Sequence, residues 1–132
     1  MGKINTFQPL KLIVGVISSS TDLNKLQPIL ESTYGKIDFI SEQFPFSHSS
    51  YYESEMGAPL YKFFIAFKNL IYPENFDQLK HKSNEIEDQF SASGKRKFNL
   101  DPGLLSLHNF MLLTTKNFAH RIPLQNGIYC EV

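Results

Sequence analysis

The stretch that most constrains this chain is Leu12 to Ile17, where Leu12, Ile13, Val14, Val16 and Ile17 form an apolar run only six residues long between Lys11 and Ser18. A membrane-spanning helix takes roughly 20 such residues, so this run cannot serve as one. Because it is unbroken rather than alternating, it reads as a strand covered on both faces, which requires further strands beside it and packing layers above and below. The remainder of the chain can supply them. Its 132 residues are 42% hydrophobic and include 12 Phe and 6 Tyr, the scale of one domain spanning 1–132. A domain of this size buries roughly two-thirds of its unfolded surface.

The elements that follow are legible from spacing. Ser18 to Asp22 offers capping groups, and Leu23, Leu26, Ile29, Leu30 and Tyr34 recur at helical intervals up to Gly35. Pro28 deep in a helix would cost about 3 kcal/mol, so the helix is expected to begin near Gln27 with Pro28 in its first turn. Lys36 to Phe46 reads as a second strand ending near Pro45. After the break at Gly57-Ala58-Pro59, Leu60 to Phe67 reads as a third. Pro73-Glu74-Asn75 opens the clearest helix, with Phe76, Leu79, Ser83, Ile86 and Phe90 in one stripe and Gly94 as its stop. Lys95, Arg96 and Lys97 then stand near the negative end of the helix dipole. Next come Lys97 to Leu100, a turn expected at Asp101-Pro102-Gly103, and Leu104 to Leu113, which spacing leaves open between strand and helix. Two alternating runs around Asn126-Gly127 predict a terminal hairpin. The order β-α-β-β-α-β plus a C-terminal hairpin predicts an α+β fold, a mainly antiparallel sheet with two helices packed on one face.

Charge and cysteine usage narrow the partners. Thirteen Lys and Arg balance thirteen Asp and Glu, and neither half of the chain departs from neutrality by more than one charge. The field that draws a protein onto nucleic acid or an anionic membrane is therefore missing, and neither is expected as a partner. Cys130 stands alone, which excludes an internal disulfide and fits a reducing cytoplasm. The N-terminus lacks the ordered regions of a signal peptide, in keeping with a cytoplasmic location.

Three polar constellations could carry chemistry. In Ser47 to Gly57, Glu53 and Glu55 stand two apart and would point the same way on an extended chain, a geometry for holding a divalent cation or dividing acid and base roles. Tyr51 and Tyr52 precede them. The alternative is a solvated polar connection. Asn99 and Asp101 flank Leu100 at an expected strand end, where their side chains would converge on a ligand; the alternative is a plain turn. Thr114, Thr115, Lys116, His120 and Arg121 group hydroxyls with cations suited to a phosphate or carboxylate, although a polar hairpin approach would look the same. Lys80, Asn84 and Glu87 flank the second helix's apolar stripe, either aimed at a cleft or making surface contacts. His48, His81, His108 and His120 show no paired metal-ligand spacing. Phosphate loops and nucleophile elbows are also missing.

Taken in order, the strings VGVISS, SEQFPFSHSSYYESEMG, NEIE, KRKFNLDPGLL, LLTTKNFAHRI and NGIYCEV resemble the bacterial domain-of-unknown-function family numbered 4416 over nearly the whole chain. Ser50 stands where the family carries an Asp, Leu104 where a Tyr usually follows the DPG string, and Pro123 where an aromatic follows His-Arg. Family members continue to a Pro-Trp-Thr-Tyr-Pro-like tail, so the chain ending at Val132 is expected to lack that tail. The resemblance brings no reaction with it. It implies that Tyr51, Tyr52, Glu53, Glu55, Asn84, Glu87, Asn99, Asp101, Lys116, His120, Arg121 and Glu131 belong to one shared site.

Two functions follow as expectations. One is a small-molecule-binding or metal-assisted enzymatic domain acting on a phosphate- or carboxylate-bearing ligand. Glu53, Glu55 and Asp101 would hold a divalent cation, Tyr51, Tyr52, Asn99, Lys116 and Arg121 would bind ligand, and His120 would carry a proton beside the three acids. The other is a non-catalytic interaction module using the tyrosine pair and the terminal hairpin. If the missing tail normally covers the final strand, self-association through that strand's edge is also expected.

Overall fold

The apolar run lies inside β1 (Leu10–Ser18), and the computed structural model, which describes residues 1–47 and 50–132, places an antiparallel strand on each side of it. These neighbours are β4 (Tyr61–Ile71) and β5 (Phe98–Leu105). Beyond β4 lie β2 (Ile37–Ile40) and the short β3 (Phe44–Pro45), while beyond β5 come β6 (Phe110–Thr114), β8 (Tyr129–Glu131) and β7 (Ile122–Pro123). Every pairing in this sheet is antiparallel, as expected.

Strand alternation divides the sheet into two faces. Leu12, Val14 and Val16 of β1, Phe63, Ile65 and Phe67 of β4 and Leu100 and Leu104 of β5 form one core. It is closed by α1 (Leu26–Tyr34) through Leu26, Leu30 and Tyr34 and by α3 (Phe76–Gln89) through Leu79 and Ile86. Tyr34 ties the two helices together: its ring meets Phe67 edge-on and its hydroxyl donates to the Leu79 carbonyl at 2.7 Å. Pro28 sits in the first turn of α1, where its missing N–H leaves no helical bond unmade.

The other face carries an element that spacing did not reveal. Ser50 to Met56, expected as a connection, forms the helix α2, whose Met56 packs with Ile17 and Leu60 in a second small core. The described residues thus contain three α-helices, with α1 and α3 on one face and α2 on the other, rather than two on one face. Only one apolar residue of α2 is buried, too few to make a periodic stripe. His48 and Ser49, part of the same polar stretch, lie outside the described residues.

The expected turn at Asp101-Pro102-Gly103 is instead continuous strand, with these residues opposite Gly15, Val14 and Ile13 of β1. The physical consequence appears on the other edge of β5. Alternation turns the backbone groups of Leu100, Pro102 and Leu104 away from β1. Pro102 has no N–H to offer β6, and the β5–β6 ladder spans only Gly103 to Leu105. A proline that looked like a turn residue therefore marks the point where two strands part. Leu104 to Leu113, which spacing left open, resolves into the end of β5, a tight connection and β6.

The terminal hairpin forms at the expected residues. Asn126 and Gly127 have φ of 52° and 77°, and the Ile128 N–H donates to the Gln125 carbonyl at 3.0 Å. Asp77, in the first turn of α3, anchors this turn by accepting from Gln125 Nε2 and Asn126 Nδ2, each at 2.7 Å. Those two bonds hold the Asp77 carboxyl below its usual range. A carboxyl depressed on folding stabilises above the unfolded pKa, and that contribution is lost as pH falls through the folded value. Asp77→Asn should therefore melt below the parent chain at neutral pH, with the gap closing below about pH 4. Thermal melts taken across that range check this; a gap that persists in acid counts against it.

The open final edge expected at the C-terminus is not what the fold presents. β8 is paired on one side with β6 and on the other with β7, and Ile128 and Cys130 are buried. The outer strand there is the two-residue β7, which ends in Pro123, a poor template for adding a strand.

Candidate functional site

Where β6 leaves β5, side chains of α3 take its place. The Leu100 N–H donates to Glu87 Oε1 at 2.8 Å, and the Leu100 carbonyl accepts from Lys80 Nζ at 3.0 Å. Seven residues separate Lys80 from Glu87, two turns on one side of α3, so one helix face satisfies both backbone groups of one strand residue. Both side chains are buried, and Lys80 also pairs with Asp101 Oδ1 at 3.4 Å.

Arg96, just before β5, connects this bridge to α2. Its Nε and Nη2 bond the two oxygens of Glu55 at 2.7 and 2.9 Å, a bidentate pair. Its Nη1 donates to Glu87 Oε2 at 3.0 Å and to Asn99 Oδ1 at 2.8 Å, and Asn99 Nδ2 donates onward to Asp101 Oδ2 at 2.8 Å. Glu55, Arg96, Glu87, Asn99, Asp101 and Lys80 therefore form one connected network. The guanidinium holds the Glu55 carboxyl below its usual range, and the bonds it donates to Glu55 push the Arg96 pKa upward.

The network floors a cavity of about 520 Å³. Tyr51 and Tyr52 of α2 form one wall, Asn84 and Asp88 of α3 another, and Thr114, Thr115, Lys116 and Arg121 the third. The Arg96 guanidinium lies 6.0 Å from the Tyr52 ring centre and the Lys116 ammonium 5.7 Å from that of Tyr51. Burial, and after it the Asp101 charge, raises the Tyr52 phenol pKa. Arg121 is held by Glu131, to which it donates at 2.7 Å. Arg121, followed by His120 at 2.8 Å, lowers the Glu131 pKa.

Eight expected site residues are brought together on the cavity wall: Tyr51, Tyr52, Asn84, Glu87, Asn99, Asp101, Lys116 and Arg121. Glu55 stands one step behind it through Arg96. Glu53 and His120 are not among the lining residues. The trio of Glu53, Glu55 and Asp101 was expected from an extended chain, but on the helix α2 residues two apart point to nearly opposite sides. Both Glu55 oxygens are engaged by Arg96, and among the described residues no three His, Cys, Asp or Glu side chains converge to hold a metal ion. Spacing missed Arg96, which read as one of three charges beside a helix end. The available signal was an Arg among lysines, since only its planar fork bonds a carboxylate and two further acceptors at once.

The family described as "Domain of unknown function (DUF4416)" matches residues 8–132, nearly the whole chain. The chain belongs to the DUF4416 family. No curated protein and no solved structure matches it. In this DUF4416 chain the resembling strings supply successive parts of one place: the tyrosine pair and Glu55 on α2, Asn84 and Glu87 on α3, Arg96 just before β5 with Asn99 and Asp101 on it, Lys116 and Arg121 after β6, and Glu131 on β8. Their separation in sequence, from Tyr51 to Glu131, is closed by the sheet order.

Proposed function

We propose that this chain binds a small polar molecule bearing a phosphate or carboxylate group, seated in the cavity between α2, α3 and the split of β5 from β6. The observation that carries this reading is the state of the four lining cations. Lys80, Arg96 and Arg121 are each paired with a carboxylate, whereas among the described residues none pairs with the Lys116 ammonium. An anion reaching Lys116 breaks no existing ion pair, and the neighbouring Thr114 and Thr115 hydroxyls are available donors. Asp88, on the opposite wall, suits the hydroxyl or amino groups of the same molecule.

A metal-assisted version of this function would require Glu55 to leave Arg96. The interaction-module reading requires tyrosines and hairpin on one free surface, yet Tyr52 lies against Arg96 and Asn126 is tied to Asp77. The placement of Tyr52 on the cavity wall supports a ligand site.

Thermal-shift and calorimetric titrations with inorganic phosphate, ribose 5-phosphate and small dicarboxylates test the proposal, because a ligand binding only the folded state raises its melting temperature. At least one should bind, and Lys116→Gln should weaken it about tenfold or more, the worth of one charge-assisted hydrogen bond. Saturating additions that leave melting unchanged, or binding indifferent to Lys116→Gln, would overturn it.

A further inference from the structure

We propose that the ligand of this cavity also carries a planar ring, seated in a slot between the phenyl rings of Phe64 and Phe110, making it a nucleotide-like molecule rather than a simple acid or sugar phosphate. This inference rests on the cavity reading above and deepens it. The slot, a second space of about 220 Å³, shares Asp101 and Leu112 with the main cavity and is otherwise lined by Gly15, Lys62, Phe64 and Phe110. A molecule occupying both spaces would pass Asp101, with its anion toward Lys116 and its ring in the slot.

Two glycines shape the slot. Gly15 of β1 faces Asp101 of β5, and Gly103 faces Ile13, so both lie on the same face of adjacent central strands. A Cβ on Gly103 would come within 2.2 Å of Phe110 Cζ, and one on Gly15 within 3.4 Å of Phe64 Cε1. The Phe110 ring thus approaches the sheet over Gly103, where any side chain would push it away, while the Phe64 ring lies in ordinary contact range of Gly15. The Lys62 ammonium lies over the Phe64 ring at 5.6 Å, and a ligand ring stacking on that face would displace it to the ring's edge, where it can donate to polar atoms. Polyhydroxyl groups between ring and anion would meet the Asp101 carboxylate. The phenyl-lined slot, the Asp101 carboxylate and Lys116, which pairs with no carboxylate among the described residues, match the order ring, sugar, phosphate.

The test compares adenosine 5′-monophosphate with ribose 5-phosphate by calorimetry on the full chain and on Phe64→Leu and Phe110→Leu, which keep apolar bulk and remove the aromatic face. Stacking of one base makes the nucleotide bind about tenfold or more tighter than the sugar phosphate in the parent. Each variant should reduce that ratio to about threefold or less while leaving ribose 5-phosphate affinity unchanged, which also shows that the variant is folded. Equal affinities in the parent, or a ratio preserved in both variants, overturn the slot. If ribose 5-phosphate alone binds in a Lys116-dependent way, the cavity reading stands and the ring inference falls. If neither compound binds, the ring inference falls, and the cavity reading falls with it only when inorganic phosphate and the dicarboxylates also fail to bind.

Discussion

Replacing Arg96 with alanine should lower the stability of this chain by about 3 kcal/mol, between the small worth of an exposed ion pair and the cost of breaking a buried one. Arg96 is partly buried and joins Glu55, Glu87 and Asn99. Its loss leaves the buried Glu87 without a cation and Glu55 without its bidentate partner. For a domain this size the melting temperature should fall by roughly 10 °C. Arg96→Lys should lie between, since an ammonium keeps the charge without the fork. The variant has a pH signature as well. The Glu55 carboxyl, depressed in the parent by Arg96, stabilises above its unfolded pKa and stops doing so as pH falls. In Arg96→Ala that acid loss should be smaller, and urea melts at neutral and acidic pH measure it. A loss under about 1 kcal/mol at neutral pH would mean that the network is not holding α2 to β5.

A comparable loss, about 3 kcal/mol, is expected for Glu87→Ala, by a different route. One Glu87 oxygen accepts the Leu100 N–H and the other accepts from Arg96, so truncation strands a buried backbone donor beside a cation deprived of one acid. Glu87→Gln should cost less: its amide oxygen can still accept the Leu100 N–H, while its NH₂ group meets Arg96 as donor against donor. Amide exchange at Leu100 should accelerate in Glu87→Ala and change little in Glu87→Gln. Because both residues belong to one network, the double variant with Arg96→Ala should fall short of additivity by about 1 kcal/mol or more. Additive losses, with Leu100 exchange unaltered, would show that the side chain is not replacing a strand partner.

These expectations rest on a residue pair that sequence spacing could indicate only in part. Lys80, Asn84 and Glu87 were recognisable as one polar flank of a helix, and that flank does face a cleft. Its partner was hidden, because Asp101-Pro102-Gly103 carries the composition of a turn and local chemistry favours that reading. Strand β1 overrides it by pairing with all three residues. A proline whose missing N–H points away from β1 removes no bond to that strand and serves instead to end pairing with β6. The polar stretch around Tyr51 and Glu55 was misread for a related reason. A seven-residue helix burying Met56 alone has no apolar period, and its position is decided by Leu60 just beyond it and by Ile17 and Arg96, both distant in sequence.

The sequence by itself determined the central buried strand, the two apolar-striped helices, the Asn126-Gly127 hairpin, the mainly antiparallel α+β class and the family. Each depends on short-range chemistry: an uninterrupted apolar run, a 3.6-residue period, a turn needing two positive φ angles, and strings in a fixed order. Only the tertiary structure decided that β5 and β6 separate at Pro102, that α3 closes the gap with Lys80 and Glu87, and that Arg96 gathers the carboxylates of Glu55 and Glu87. Those outcomes turn on which side chains a sheet brings within hydrogen-bond reach across tens of residues, and a charged side chain carries no local mark of the partner that will neutralise it.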